Sequence, residues 1–388
     1  MTRTTRFNFL PKSLILVAAM GAAFSAHAQI KVGVSISTTG PAASLGIPEK
    51  NTFALLPNEI AGQKVQYIVL DDASDATQAV KNARKLVSED KVDLLIGSSV
   101  TPTSLAMLEV AAETETPMIT IAGAARIVEQ MDAKRRWVFK TTQHDGQMAA
   151  AITQHMSNSG VKTMGFIGFA DAYGEGWYAE AAKYAPARKI KLVANERYAR
   201  TDTSVTGQIL KLMSANPDAI LIAGSGTPAA LPQKALRERG YKGKIYQTHG
   251  VANSDFLRVC GADCEGTFVP VGPMLVANQL PDANPIKKTA LTYVNKYTAA
   301  HGKDSVSTFG GHAWDAAILL GEAAKTAVPK AKPGTKEFRA ALRDSLEGLK
   351  NVPASHGVFN MSPTNHQGMD QRSQVMVKIE KGAWKYVP

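Results

Sequence analysis

After Gln29 the chain alternates short apolar runs with amphipathic stretches of helical period, and this alternation restricts the fold more than any other feature. Strand candidates are Ile30–Ser37, Val65–Leu70, Val92–Ile96, Met118–Ala122, Thr163–Phe169, Leu192–Tyr198, Ala219–Ala223, Lys244–Gln247 and Thr267–Val271. Most are near-continuous apolar runs, as expected for strands buried on both faces. Between them, Thr77–Ser88 sets Ala79, Val80, Ala83 and Val87 at helical spacing, and Ala229–Arg239 enters through Pro228 and stops at Gly240. Strands separated by single helices predict right-handed βαβ units and parallel sheets. The rhythm breaks near Thr141–Asp145 and restarts at Gly160, which predicts two similar α/β lobes. After Pro273 it gives way to helical stretches at 285–300, 312–327 and 335–346, then a β-like tail, Ser373–Ile379.

Several strands run into polar or glycine-rich turns that open helices: DDASDATQ, GSSVTPTS, AGAA, GFADAYGEG and AGSGTPAA. In open parallel sheets ligands bind beyond the carboxyl ends of the strands, where helix N-termini offer unpaired N–H groups to anions. With 388 residues, 45% apolar and 20% charged, the chain is an ordinary globular protein. Its net charge of +11 is spread along the sequence without a dense basic run, so neither nucleic acid nor a membrane patch is expected. Residues 1–28 read as a secretory signal: Arg3, Arg6 and Lys12, then the apolar run Leu14–Ala23, then Ala26-His27-Ala28 before a cut. The run is about half of the roughly 20 residues a membrane span needs. An exported, soluble chain with no lipobox cysteine near the cut is expected in a bacterial periplasm.

Three motifs invite catalytic or cofactor readings. Gly224–Ala229 has the form G-x-G-x-x-A, but the next strand ends at Gln247-Thr248-His249 without the acid that would hold a ribose, so no nucleotide cofactor is expected. Gly97-Ser98-Ser99-Val100-Thr101 lacks the final glycine of a nucleophile elbow, and nothing designates an activating base. Its hydroxyls and N–H groups either receive a carboxylate or cap a helix. The eight histidines lack metal-ligand spacing, so no metal is expected. Tyr173 and Trp177 stand in a glycine-bearing loop at a helix start, either packing or presenting a flat wall to a ligand. Cys260 and Cys264 enclose three residues including Gly261, and in an oxidising compartment a disulfide between them is expected.

Six segments carry a resemblance that covers residues 30–388: IKVGVSISTTGPAASLG, VLDDASDATQAVKNARKLV, LLIGSSVTPTSLAM, MITIAGAA, FADAYGEGW and THGVAN. In this order they resemble the periplasmic solute-binding proteins of branched-chain amino-acid type ABC importers, which have the type I periplasmic-binding fold. The resemblance implies two Rossmann-like lobes joined by three crossover segments, with a ligand clamped between them, and the lack of a nucleophile–base pair argues against an enzyme. Crossings are expected near Thr141–Asp145, Val269–Pro273 and Ser355–Phe359, giving one lobe of 29–143 plus 272–356 and another of 144–271 plus 357–388. The family's carboxylate-binding turn matches Ser98, Ser99 and Thr101. The following turn matches Ala122, Gly123 and Ala124, the second-lobe aromatic matches Tyr173, and the turn after the seventh strand matches Ser225, Gly226 and Thr227.

The sequence departs from the family at His249. Amino-acid binders resemble G-x-E-G there, with the glutamate taking the ligand's ammonium, whereas this turn reads Thr248-His249-Gly250. A buried ammonium without a carboxylate partner is costly, although a cleft acid such as Asp171 is an alternative anchor. The expected ligand is therefore a small carboxylate without an ammonium. The run AGAARIVEQMDAKRRWVFKT and the DAYGEGW loop resemble members associated with aromatic acids. The chain is expected to act as a monomer that hands its ligand to a membrane permease. The alternatives are a branched-chain or other amino-acid receptor, a soluble sensor, or an exported enzyme on the same fold.

Overall fold

The structure of the protein, a computed structural model, describes residues 1–2, 29–302 and 304–388. Residues 3–28, which carry the expected export signal, lie outside the described residues. The chain opens with β1 (Ile30–Ile36), α1 (Ala43–Phe53), β2 (Glu59–Ile60), β3 (Gln63–Asp71), α2 (Ala76–Ser88), β4 (Leu94–Gly97), α3 (Thr101–Glu113), β5 (Met118–Thr120) and β6 (Val138–Lys140). The six strands form one sheet in the order β2-β3-β1-β4-β5-β6, parallel except where β2 folds back on β3.

The period-2 alternation of β1 sets its environment. Ile30, Val32, Val34 and Ile36 pack on one face. On the other face Gly33 lies against α2, where an added Cβ would stand 3.0 Å from Leu86. The α2 helix is capped by Asp75, whose carboxylate accepts from Gln78 N at 2.7 Å, and it buries Ala79, Ala83 and Leu86.

The chain then enters a second unit: α4 (Asp145–Asn158), β7 (Thr163–Phe169), α5 (Ala172–Ala187), β8 (Lys191–Tyr198), α6 (Thr206–Ser214), β9 (Ala219–Ala223), α7 (Ala230–Glu238), β10 (Lys244–Gln247), α8 (Ser254–Cys260) and β11 (Phe268–Val271). It returns through α9 (Lys287–His301), α10 (Thr308–Ala327) and α11 (Lys336–Glu347). Ala316, Leu319, Leu320 and Ala323 of α10 close the β1 face of the first sheet. A two-stranded ribbon, β12 (Val352–Pro353) and β13 (Val358–Phe359), precedes the last strands, β14 (Val375–Glu380) and β15 (Ala383–Val387). These complete the second sheet in the order β15-β14-β11-β10-β9-β7-β8, antiparallel only at β14 and β15. Each parallel sheet is covered on both faces, which is why its strands read as unbroken apolar runs. No helix among the described residues is long and apolar enough to cross a membrane.

Three segments connect the sheets: 141–144, 272–279 and 370–374. Residues 358–369 pack on the first sheet: Phe359, Met361 and Met369 join its core, His366 donates to Val138 O at 2.9 Å, and Lys140 N donates to His366 O at 3.0 Å. The connections meet. Gln143 donates to Ser373 O at 2.8 Å, and a Cβ on Gly272 would run into both Gln143 and His356.

The expected disulfide is corrected by the structure. Cys260 and Cys264 are free, buried cysteines, and the Cys264 thiol donates to Gly261 O at 3.0 Å. Cys260 ends α8 and Cys264 ends the following 3₁₀ turn, so each sulfur is seated in the core under α7 as a small apolar group. The neighbouring Cys264 and burial push the Cys260 thiol up.

Candidate functional site

The carboxyl ends of β1, β4 and β5 face those of β7, β8, β9 and β10 across a cleft. The cavity between them is small, about 20 Å³. Leu45, Val100, Ile121 and Phe309 supply apolar walls from the first lobe, with Ser99, Thr101, Gly123 and Thr142 between them. Tyr173, Arg200, Ser225, His249 and Gly250 line it from the second. The lobes touch at its rim: Thr227 N donates to Ser44 Oγ at 3.4 Å, and a Cβ on Gly226 would lie 2.6 Å from the same oxygen. Gly123 permits a second close approach, since a Cβ there would stand 2.8 Å from His249 Nε2.

On the first-lobe side, α3 begins without a side-chain cap, leaving its first N–H groups and its positive dipole end at the cleft. Thr101 Oγ1 and Thr142 Oγ1 are buried without a partner. The two serines of the same turn differ. Ser98 does not line the cavity, because its hydroxyl is committed to Asp72 Oδ2 at 2.6 Å. Ser99 lines it, accepts from Ser37 N at 2.9 Å and bonds the carboxyl of Glu49.

On the second-lobe side, Asp171 does two jobs. Its Oδ1 caps α5 by accepting from Tyr173 N at 2.8 Å and Gly174 N at 3.2 Å, and its Oδ2 accepts from Arg200 Nε at 2.6 Å. Arg200 also donates to Ser225 Oγ at 2.9 Å and lies 4.1 Å over the Phe169 ring. Its Nη2 is buried with no partner. Arg200 is the one charged side chain among the described residues lining the cavity. The Tyr173 hydroxyl is occupied: it bonds Thr248 Oγ1 at 2.8 Å, which donates to Gly224 O, so Tyr173 offers its ring to the cavity.

His249 lines the cavity, and its Nδ1 has no partner. Burial, then the nearby Lys140 cation, push its pKa down to about 3, so the ring is neutral. Behind it Lys140 is fully buried and donates to Gly123 O. Burial lowers the Lys140 pKa and raises that of Asp145 at the start of α4.

The remaining expected positions lie elsewhere. Ala122 and Ala124 belong to the core beside α3, because the chain there turns inward and exposes only Gly123. Gly226 and Thr227 sit at the contact between the lobes. Arg200, Thr142, Leu45, Phe309 and Glu49 were missed by the reading of the sequence. Arg200 had a signal, since it follows β8 by two residues and so belongs to the same set of strand-end turns.

His312, Asp315 and His356 bring their ligand-type atoms within 4.8 Å of one another near the connections. His356 is already bonded through Nδ1 to Asp315 at 3.1 Å and through Nε2 to Thr308 at 2.8 Å. The His312 ring stacks on it at 3.9 Å, so their in-plane lone pairs run side by side rather than converge. This donor set suits a structural tie better than a metal centre.

Residues 29–383 match the sequence model of a family described as periplasmic binding protein. A Leu/Ile/Val-binding protein BraC3 from Rhizobium johnstonii is 26% identical over 95% of this chain and 96% of its own length. An extracellular ligand-binding receptor from Rhodopseudomonas palustris HaA2 superposes with a TM-score of 0.90 at 49% identity, covering 93% of this chain and all of that one. A solute-binding protein from R. palustris, solved with benzoate, has the same fold, with a TM-score of 0.79 at 21% identity over 92% of this chain and 95% of that one. Matched along nearly its whole described length, the chain belongs to the periplasmic binding protein family, of the branched-chain amino-acid type I fold.

Proposed function

We propose that this protein is the periplasmic substrate-binding component of an ABC importer, that it captures a small, preferably aromatic, carboxylate by hinge closure, and that it delivers it to a membrane permease. The observation that carries the ligand class is the buried, unpaired Nη2 of Arg200 in a cavity lined by no carboxylate among the described residues. A ligand carboxylate there gains charge-assisted hydrogen bonds. An ammonium in the same place meets a cation and a neutral histidine, and neither supplies the negative charge that would balance it. The uncapped start of α3, with Thr101 and Thr142, offers a second set of donors. Tyr173, Phe309 and Ile121 suit a flat apolar body. The benzoate carried by one neighbour of the same fold agrees with this class.

Closure is supported by the rim contacts, which join residues of both lobes, and by the clustering of the connections at Gln143, Gly272 and Ser373. In this reading the lobes are 29–143 with 272–369, and 144–271 with 370–388. Export with removal of residues 1–28 completes the proposal. A thermal-shift screen tests it, because a ligand bound only by the folded state raises the melting temperature. Benzoate and cinnamate are expected to raise it. A rise with leucine or valine alone favours the second reading, an amino-acid receptor, which the Leu/Ile/Val-binding relatives support.

A further inference from the structure

Ser99 touches a group that does not line the cavity, the carboxyl of Glu49 on α1. Glu49 is fully enclosed, and its second oxygen has no partner. The groups facing it are Ser99 from the turn before α3, Asp72 from the loop after β3, and Tyr293 from α9, whose hydroxyl bonds Thr52 at 3.0 Å. The charged one of these is another acid. A carboxyl enclosed in this way holds its proton, since nothing balances the anion. Burial first, and repulsion from Asp72, place its pKa well above the ordinary carboxylic range, with the Ser99 bond pulling the other way.

The valence of Ser99 Oγ makes the protonation state of Glu49 matter. A hydroxyl oxygen has one hydrogen to give and two lone pairs to fill. Ser37 N–H fills one lone pair. If Glu49 is a carboxylate, the Ser99 hydrogen must point at it, and Ser99 has nothing to donate to the cavity. If Glu49 is the acid, its O–H fills the second lone pair and the Ser99 hydrogen turns to the cavity that Ser99 lines.

We propose that Glu49 is a positioning residue for ligand capture: as a neutral acid it donates to Ser99 Oγ and turns the Ser99 hydroxyl toward the ligand's carboxylate. This rests on the carboxylate reading of the cleft. A bound anion beside Ser99 in turn favours protonated Glu49, so binding and protonation are linked. Affinity is then full below the raised Glu49 pKa and falls as pH rises through it.

The test is calorimetric titration with benzoate and cinnamate, from neutral to alkaline pH, of the wild type, Glu49→Gln, Glu49→Met, Ser99→Ala and the double variant Glu49→Met/Ser99→Ala. The glutamine amide donates to Ser99 as the acid does, so Glu49→Gln is expected to bind within about threefold of wild type and without the alkaline fall. Glu49→Met is expected to bind roughly tenfold more weakly, and to add nothing once Ser99 is alanine. A Glu49→Gln protein as weak as Glu49→Met, or a Glu49→Met loss of equal size with and without the Ser99 hydroxyl, overturns the proposal in favour of packing alone. Should Glu49→Met not fold, the comparison of wild type with Glu49→Gln across pH stands by itself, and identical profiles overturn the proposal. A wild type that binds neither acid but takes up leucine or valine is a different failure, that of the carboxylate reading itself.

Discussion

Arg200 concentrates the chemistry of the cleft in one side chain. Asp171 and Ser225 hold its guanidinium, Phe169 supports its face, and Nη2 is left without a partner. Arg200→Gln is expected to weaken benzoate binding roughly 10- to 100-fold, the range for a hydrogen bond to a charged group, as read by titration. His249→Glu is expected to weaken the same acid, because it sets a second anion beside the cavity. His249 also makes a stability prediction. Its pKa is pushed down to about 3 in the fold, so the unfolded chain binds the proton first. Its contribution is whole above the unfolded value of about 6.5 and is lost as pH falls toward 3, by up to about 1.4 kcal/mol per pH unit. Urea denaturation at successive pH values should show a shallower acid loss in His249→Gln, and an unchanged slope would exclude this origin. The residue types at the turns were legible in the sequence, but their partners were not. Ser98 and Ser99 are neighbours of one kind, and only the folded chain sends one hydroxyl to Asp72 and leaves the other at the cavity.

Among elements, the parallel strands were the easiest to read. Thr163–Phe169, Ala219–Ala223 and Lys244–Gln247 were found with the bounds they have in the structure, because a strand buried on both faces is an unbroken apolar run between turn residues. The unread strands had no such run. Residues of β2 and β15 pair across tight turns in which Ala61, Gly62, Lys381 and Gly382 all take positive φ, and β6 is three residues long and ends in the buried Lys140. The α5 helix links an element to the site. Asp171→Ala removes its cap and unpins Arg200, so it is expected to cost about 1 kcal/mol of stability in urea and to weaken acid binding as well. Loss of stability with unchanged affinity would separate the cap from the clamp. At the end of α8 the free thiols of Cys260 and Cys264 are both expected to be alkylated in the denatured, unreduced protein, and an intact mass lacking both additions would restore the disulfide.

At the scale of the whole molecule, two lobes share a cavity lined by one charged side chain among the described residues, Arg200. The two-lobe architecture was legible in the strand–helix rhythm and its break near Thr141. Residues 360–369 belong to no helix or strand and pack on the first sheet through Met361 and His366. If closure accompanies capture, small-angle scattering with saturating benzoate should give a smaller radius of gyration than the ligand-free protein, and an unchanged radius would remove hinge closure while leaving binding intact. Whether the cleft takes a carboxylate and refuses an ammonium is decided by calorimetry of the mature protein with benzoate and cinnamate beside leucine and valine. Saturable binding of the aromatic acids with little or no heat from the amino acids is the predicted result. Tight binding of leucine or valine, with no response to either aromatic acid, would contradict it.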